Sequence, residues 1–553
     1  MPDTNIQKTN YGALSTLTTV FFFWGFIAAG NSVFIPFCKN YFDLDQFQSQ
    51  LIDFAFYGAY YLGALALFIF SSSSGKDLVG TWGYKKSIVY GLLFSALGAG
   101  AMIVSVYLNM FTGMLIGLFI VALGFSLQQT SANPFMIALG DESTGSSRIN
   151  LGGGINSLGT TIGPLIVSLA LFGTASAISD EMIQNLSLSK VILLYACVGA
   201  LFLGVAALFG FSKKVPDGKV AKSDAELDNK PSDKTDEKAI KAVRLLSLIT
   251  GLLIVCFAPV FYSYKENLNW SIDQSEFVRL IGWCGGLVVI FVGMLYSFAQ
   301  GSKQKVGWGA MQYPQLSLGM LAIFVYVGVE VAIGSNLGEL LKQKEFGGYE
   351  SSAIAPFVAM FWGSLMIGRW AGAINAFELN NSTKQILRFF VPLAAFGVVL
   401  GFTKLAGYNI EPLYWYIVCV LVQIVAFFVT NDKPALTLGM FGTLGIIATI
   451  IGLSSTGLVA VYAFLSAGLF CSIMWPCIFS LSLAGLGKYQ TQGSAFLVMM
   501  ILGGAIIPPL QGKLSDVMGI QQSFIVGALC FGYLTFFAIY VRRLLKQQGV
   551  DFE

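Results

Sequence analysis

The sequence contains no histidine, and only 11% of its 553 residues are charged. Without histidine the chain cannot build a Ser-His-Asp triad, a histidine-ligated zinc site or an imidazole proton relay. Soluble domains carry about 25% charged residues, whereas 56% of this chain is hydrophobic. The composition therefore excludes a water-soluble fold and predicts a membrane protein. The net charge of +3 gives no reason to expect a nucleic-acid partner.

Sequence patterns for metal, redox and nucleotide chemistry are missing as well. The eight cysteines are scattered, and no two of them form a Cys-x-x-Cys pair, so we expect neither a metal site nor a cofactor. No Walker loop is present, which disfavours transport driven by ATP. We find no nucleophile with a suitably spaced base and orienting group, and therefore predict that the protein is not an enzyme.

The sequence is rich in apolar runs of about 20 residues, the length that crosses a bilayer as a helix. Six runs precede a charged segment at 213–242 and ten follow it, which predicts an all-α membrane protein with about sixteen transmembrane helices, or fourteen. The first six runs are 13–38, 50–74, 84–107, 109–139, 148–172 and 188–212. The other ten are 243–263, 277–299, 314–342, 352–377, 383–404, 412–430, 434–453, 456–482, 491–511 and 523–545.

Two signatures occur in both halves of the chain and predict an internal repeat. Phe56-Tyr57-Gly58 is matched by Phe361-Trp362-Gly363 at an offset of 305 residues. Leu158-Gly159 is matched by Leu502-Gly503 at an offset of 344 residues. The difference of 39 residues is enough for one extra helical hairpin between the matched helices of the second half.

The repeat and the charged segment together predict the domain organisation. Residues 1–212 form an N-terminal six-helix bundle, and 213–242 form a charged cytoplasmic linker. Residues 243–300 form an inserted hairpin. Residues 301–553 form the C-terminal bundle, with the second inserted hairpin near 383–430.

Glu330 is a charged residue that lies about fourteen residues into its apolar run. At about 1.5 Å per residue this position is near the middle of the bilayer. A carboxylate there can bind a proton or a sodium ion, because burial disfavours its charged form and a cation favours it. The alternative is a structural glutamate that is protonated or hydrogen-bonded. We predict that Glu330 is the ion-coupling residue, with Na⁺ or H⁺ as the coupling ion.

A set of amides and aromatic residues predicts a site for a neutral, polyhydroxylated ligand. Amides offer donors and acceptors without net charge, and aromatic rings supply apolar stacking faces. For any one residue, helix–helix hydrogen bonding or anchoring at the membrane interface is an equal alternative. The predicted ligand-binding residues are Asn31, Gln128, Gln129, Asn133 and Asn156, with Trp24, Tyr57 and Trp475 as walls.

Basic residues predict the orientation of the chain and its gating elements. With an even number of spans, most lysines and arginines in short loops fall on one side, which should be the cytoplasm. We therefore predict a multi-pass protein of the inner (plasma) membrane with both termini cytoplasmic. Lys85 and Lys86 belong to a basic turn that is either an orientation signal or a conformational latch. Arg369 should lie in the cytoplasmic third of its span, as a gate or structural pair rather than a substrate contact.

At these residues the chain resembles the major facilitator superfamily, in particular the L-fucose:proton and glucose/galactose symporter group. The resemblance implies two pseudo-symmetric bundles around a central cavity that opens alternately to each side. The motifs that carry it are Thr130-Ser-Ala-Asn133-Pro134-Phe135, Arg148-Ile-Asn150-Leu, Asn156-Ser157-Leu158-Gly159, Tyr326-Val-Gly-Val-Glu330 and Ile473-Met-Trp-Pro476.

The chain also departs from the fucose branch of that group. Ser32 stands where the group usually has Asp, and Gln129 stands where the fucose branch has a membrane Glu. Gly153 replaces that branch's sugar-binding Gln, whereas Asn156 is retained. Glu330 is present as in the glucose/galactose branch, so the resemblance implies that ion coupling depends chiefly on this residue.

These observations predict a secondary active transporter that imports a neutral sugar, a hexose or related saccharide, by alternating access. One alternative is an uncoupled facilitator or an exporter of another small polar solute. A second is a transporter-like sensor or assembly subunit whose extra hairpins dock a partner. We expect a monomer that works in the lipid bilayer.

Overall fold

The computed structural model describes residues 8–42, 46–74, 77–173, 188–218, 239–265, 268–550 and 552. Every long element within these residues is a helix, as the all-α prediction requires. Fourteen helices in this part of the chain are long and apolar enough to cross a membrane, and Tyr11–Ile27 is a shorter apolar helix. The prediction of an all-α, multi-span protein is thus confirmed.

The described residues contain eighteen long helices. The first eight are α1 (Tyr11–Tyr41), α2 (Gln46–Ser74), α3 (Tyr84–Tyr107), α4 (Phe111–Ala138), α5 (Gly145–Phe172), α6 (Leu188–Phe211), α7 (Ile240–Tyr262) and α8 (Ile272–Lys303). The remaining ten are α9 (Pro314–Lys342), α10 (Ser351–Gly372), α11 (Asn381–Leu405), α12 (Ile417–Thr430), α13 (Pro434–Ser454), α14 (Gly457–Cys471), α15 (Met474–Leu483), α16 (Gln490–Met499), α17 (Gly503–Met518) and α18 (Ile525–Gln547). Two pairs of consecutive helices, α14 with α15 and α16 with α17, lie within the single spans Gly457–Leu483 and Gly487–Met518.

Two bundles with equivalent packing form the core of the molecule. In the first, α1 packs on α5, α3 packs on α4 and α6, and α2 packs on α4. In the second, α9 packs on α17, α13 packs on α14 and α18, and α10 packs on α14. The helix pairs correspond under the sequence repeat, which is the pseudo-symmetry expected of the fold.

Two further hairpins lie outside this twelve-span core. In the first, α7 packs on α8, α7 contacts α2 of the first bundle, and α8 contacts α9 and α17 of the second. The other hairpin places α11 on α10, and α12 on α13 and α14. The predicted domain limits themselves remain predictions, and linker residues 219–238 lie outside the described part of the chain.

Two prolines free one backbone carbonyl each at equivalent points of the two bundles. Pro134 lies inside α4 and Pro476 lies near the start of α15, at an offset of 342 residues. Because proline has no N–H, the carbonyl four residues earlier lacks its helical partner. The freed carbonyl of Thr130 accepts a hydrogen bond from Ser494 Oγ at 2.7 Å. The freed carbonyl of Ser472 accepts one from Arg369 Nε at 3.1 Å.

The bundles meet at the end of the molecule that carries Asn10, Phe211 and Ile240, here called the linker side. Trp370 Nε1 of α10 donates to the carbonyl of Gly154 in α5 at 3.1 Å. The rings of Phe68 in α2 and Phe496 in α16 pack edge to face with centroids 4.6 Å apart. Together with the Ser494–Thr130 bond, these contacts close the linker side.

A buried ion pair fixes the second inserted hairpin to the core. Arg388 of α11 lies 2.5 Å from Asp432, with side-chain exposures of 9% and 6%. Arg388 also donates to Asn431 Oδ1 at 3.0 Å, and Asn375 donates to Asp432 at 2.8 Å. The turn that carries Asn431 and Asp432 has positive φ at both residues, a conformation that Asn and Asp tolerate better than most.

We predict that Arg388→Met lowers the thermal stability of the detergent-solubilised protein markedly. Removing one partner of a buried ion pair leaves the other charge uncompensated, at a cost of about 3–5 kcal/mol. The control is Lys342→Met, which removes the exposed Lys342–Glu339 pair, with exposures of 46% and 63%. Exposed pairs contribute about 0–1 kcal/mol. Equal melting temperatures for the two variants would show that the Arg388 pair does not anchor the hairpin.

Candidate functional site

A cavity of about 250 Å³ lies between the two bundles. Its wall combines one acidic and one basic side chain with amides and many aromatic rings, and it draws on α1, α2, α4 and α5 of the first bundle. Seven of the predicted site residues line it: Trp24, Tyr57, Gln129, Asn133, Asn156, Glu330 and Trp475. Arg369, predicted as a gate or structural pair, lines it too.

Glu330 and Arg369 form the charged part of the wall. Glu330 lies on α9, and the hydroxyl of Tyr326, one turn earlier, donates to its carboxylate. Arg369 Nη2 on α10 lies 3.8 Å from Glu330 Oε2, with side-chain exposures of 11% and 14%. The same Nη2 donates to the hydroxyl oxygen of Tyr326 at 3.2 Å. A carboxylate, a phenol and a guanidinium thus share one buried corner of the cavity.

Arg369 also reaches beyond this corner. Its Nε donates to the freed carbonyl of Ser472, and its Nη1 donates to Ser157 Oγ of α5 at 2.8 Å. Because α5 belongs to the other bundle, one guanidinium is bound by both halves of the molecule. The sequence did not predict this pairing. Glu330 and Arg369 lie on different helices, and their positions in the sequence indicated different depths in the membrane.

Three of the predicted amides line the cavity, all on the first bundle. Gln129 Nε2 donates to the Tyr60 hydroxyl at 3.2 Å, and Asn156 Nδ2 donates to the carbonyl of Phe21 at 3.0 Å. Asn133 Nδ2 donates to the carbonyl of Gln129 at 3.0 Å. Among the described residues, Asn133 Oδ1 is buried and has no hydrogen-bond partner. An unpaired buried acceptor is costly, and the residue that carries this one lines the cavity.

One other predicted amide, Gln128, lies away from the cavity. Gln128 is fully buried away from the cavity, where it accepts from Trp24 Nε1 at 2.7 Å and donates to Ser95 Oγ at 3.1 Å. Both ends of its amide are therefore used to join α1, α3 and α4. Its neighbour Gln129 projects from the helix about 100° away, which explains why two adjacent glutamines have different surroundings. The side chain of Asn31 lies outside the described residues.

Aromatic rings supply most of the apolar wall. Trp24 is held by its bond to Gln128, and Trp475 stacks on Phe479 with centroids 5.3 Å apart. Tyr326 packs against Trp475 at 6.3 Å. The rings are thus fixed by neighbours, so a ligand would meet preformed stacking faces at little cost in side-chain entropy.

Several lining residues were not predicted as site residues, among them Trp362, Phe21, Phe56 and Thr160. Trp362 is the repeat counterpart of Tyr57, and both residues line the cavity from equivalent helices, α10 and α2. The repeat therefore contained a signal for Trp362. Phe56 belongs to the same repeated signature, but its counterpart Phe361 is buried in the core. Thr160 is a polar residue within an apolar run, whereas Phe21 carries no signal that distinguishes it from an ordinary packing residue.

The basic turn between α2 and α3 lies on the linker side, away from the cavity. Lys85 Nζ donates to the carbonyl of Ser212 at 2.7 Å, which ties α3 to the end of α6. Lys86 is exposed. The described residues contain no group of three or more Cys, Asp or Glu side chains that could hold a metal ion.

Comparisons with known proteins show which family the chain belongs to. No family model matches the chain. The chain is 30% identical to a glucose/galactose transporter of Brucella abortus over 538 residues, covering 97% of this chain and 96% of that protein. The chain belongs to the glucose/galactose and L-fucose–proton symporter family of the major facilitator superfamily.

Other members of the family support the same placement. The chain is 25% identical to an L-fucose-proton symporter of Escherichia coli over 557 residues, covering 97% of this chain and 98% of that protein. A crystal structure of the E. coli fucose:proton symporter has the same fold, with a TM-score of 0.62 at 21% identity, covering 97% and 99% of the two chains. The resemblance and the fold inferred from the sequence are confirmed.

The two adjacent glutamines of α4 provide a test of the cavity's boundary. We predict that Gln128→Ala destabilises the protein by about 1–3 kcal/mol, because Trp24 Nε1 and Ser95 lose a buried partner. Gln129→Ala should cost less stability and should weaken ligand binding. Thermal unfolding of both variants, with and without D-glucose, D-galactose or L-fucose, measures the two effects. If Gln129→Ala kept the full ligand-induced rise in melting temperature, the assignment of Gln129 to the ligand-binding wall would be wrong.

Proposed function

We propose that the chain is a secondary active transporter that imports a neutral sugar, a hexose or related saccharide, across the inner (plasma) membrane. The observation that carries the proposal is the cavity between the bundles, where amides and fixed aromatic rings surround a single buried Glu330–Arg369 pair. The printed names of the family members, glucose/galactose transporter and L-fucose-proton symporter, support the same class of substrate.

The lining residues favour a neutral ligand. Among those the structure describes, the charged groups are Glu330 and Arg369, and they offset each other at 3.8 Å. Sugar hydroxyls both donate and accept hydrogen bonds, so they complement the amides of Gln129, Asn133 and Asn156. The apolar faces of a sugar ring complement tryptophan and tyrosine rings, which here include Trp24 and Trp475.

We further propose that Glu330 binds the coupling ion, Na⁺ or H⁺. It lies in the wall of the cavity, so a ligand and a cation would occupy the same central chamber. Its carboxylate accepts from Tyr326 and faces Arg369, and a cation would compete with that guanidinium for its charge. Binding of the ion would therefore alter the contacts that hold Arg369.

The Glu330–Arg369 pair also favours a second candidate, an uncoupled facilitator. If the guanidinium alone neutralised Glu330 throughout the cycle, no cation would be needed and the sugar would only move down its gradient. The two candidates differ in accumulation, because only coupled transport raises the internal sugar concentration above the external one.

The test is uptake of labelled D-glucose, D-galactose and L-fucose into liposomes that contain the purified protein. Under an inward Na⁺ or H⁺ gradient, the wild-type protein should concentrate at least one of them inside. Glu330→Gln should still let the sugar equilibrate but should abolish its accumulation, because the carboxylate that binds the cation is gone. The control is Glu339→Gln, which changes an exposed glutamate of the same helix and should accumulate sugar as the wild type does.

Full gradient-driven accumulation by Glu330→Gln would refute the assignment of Glu330. Equilibration without accumulation by the wild-type protein, under either gradient, would establish the uncoupled facilitator instead.

A further inference from the structure

Arg369 is placed where the two bundles and the charged corner of the cavity meet. Its three nitrogens contact three different groups: Nε donates to the Ser472 carbonyl, Nη1 to Ser157 Oγ, and Nη2 to the Tyr326 hydroxyl beside Glu330. The guanidinium is planar and rigid, so fixing two of its nitrogens fixes the direction of the third. The groups that hold Nη2 therefore decide whether Nη1 can reach Ser157.

The contact with Ser157 joins the two bundles. Ser157 lies on α5 and is 1% exposed, and it does not line the cavity. One residue further along α10, Trp370 makes the neighbouring cross-bundle bond to the Gly154 carbonyl. Both bonds close the linker side, but only the one from Arg369 is connected to Glu330.

We propose that Arg369 couples the ion occupancy of Glu330 to closure of the linker side, through its hydrogen bond to Ser157. The inference rests on the proposed function, since it names the route by which ion binding changes the conformation. With Glu330 ionised and empty, the guanidinium is held in place and the linker side stays closed.

A cation on Glu330 weakens this hold. The carboxylate no longer attracts the guanidinium, and a buried arginine without a counter-charge is unfavourable. The guanidinium then gains by leaving Ser157 for water, which requires that the linker side opens. The ionisable neighbours of this pair among the described residues are Tyr326 on α9 and Cys471 on α14.

Because of this contact, the charge state of Glu330 decides which conformation the transporter favours. The empty transporter, with Glu330 ionised, is drawn back to the state that is closed on the linker side. The loaded transporter, with Glu330 neutralised, is released from that state and can open toward the linker side. Release of the ion restores the contact between Arg369 and Ser157 and so returns the protein to the state that is closed on the linker side.

The test measures hydrogen exchange of the unliganded protein in lipid nanodiscs, so it needs no knowledge of the sugar. Exchange is followed by mass spectrometry at the linker-side ends of α5 and α10, in sodium chloride against choline chloride and at two pH values. Rates are corrected for the intrinsic pH dependence of amide exchange. In the wild type, the coupling cation should speed exchange at both ends.

Ser157→Ala should speed exchange by about tenfold without the cation, the effect of losing one charged hydrogen bond, and should remove the response to the cation. The matched control is Trp370→Phe, which removes the neighbouring cross-bundle bond. It should speed exchange as well but should keep the full response to the cation. The double variant Ser157→Ala, Glu330→Gln should exchange no faster than either single variant, because both substitutions break the same chain of contacts.

A full cation response in Ser157→Ala would overturn the proposal, as would fully additive effects in the double variant or no cation response in the wild type. These outcomes are separate from those of the transport assay. A cation response that depends on Ser157, in a protein that takes up none of the sugars, would support the coupling device while refuting the sugar as substrate.

Discussion

The burial of one arginine and one glutamate in an otherwise apolar interior is the constraint on which the rest of the site depends. Neither charge is tolerated there alone, so the structure must supply partners from several helices. Arg369 and Glu330 lie 3.8 Å apart, and the other partners are the hydroxyl of Tyr326, the hydroxyl of Ser157 and the carbonyl of Ser472. Satisfying the two charges brings α5, α9 and α10 together at the cavity, and with them the surface on which a polar ligand could bind.

The internal repeat gives the two bundles the same helix packing, and the charged corner of the cavity arises where the two bundles differ. Pro134 and Pro476 free carbonyls at equivalent points, but the two carbonyls have different partners. The carbonyl of Thr130 bonds to a serine of the opposite bundle and contributes to closure. The carbonyl of Ser472 instead holds the guanidinium that faces the cavity. A carbonyl freed by proline thus joins the two bundles in one half and holds part of the charged corner in the other.

The sequence predicted the fold well because its signals are local or periodic. Apolar runs of sufficient length gave the helices, and the offsets between repeated signatures gave the second extra hairpin. These inferences hold because a backbone in hydrocarbon must satisfy its own hydrogen bonds, which leaves helices as the economical solution. Glu330, Asn133 and Asn156 could be singled out for the same reason, since polar side chains within an apolar run need partners.

The rest of the site depends on how the helices are rotated and packed, which no local signal encodes. Gln128 and Gln129 are identical neighbours in sequence, yet only Gln129 faces the cavity, because adjacent helical positions point about 100° apart. The contact of Arg369 with Glu330 joins two helices whose relative register is set by tertiary packing. Trp362 could have been predicted, because the repeat pairs it with Tyr57, whereas Phe21 carries no signal in the sequence that distinguishes it from a core residue.

The most direct test of the account is the electric current that accompanies sugar transport in proteoliposomes adsorbed to a solid-supported membrane. If Glu330 carries a cation together with a neutral sugar, a sudden addition of sugar should move net positive charge in the direction of transport. The current should require Na⁺ or a suitable pH and should be absent in Glu330→Gln. Sugar flux without any net charge movement in the wild-type protein would contradict the account.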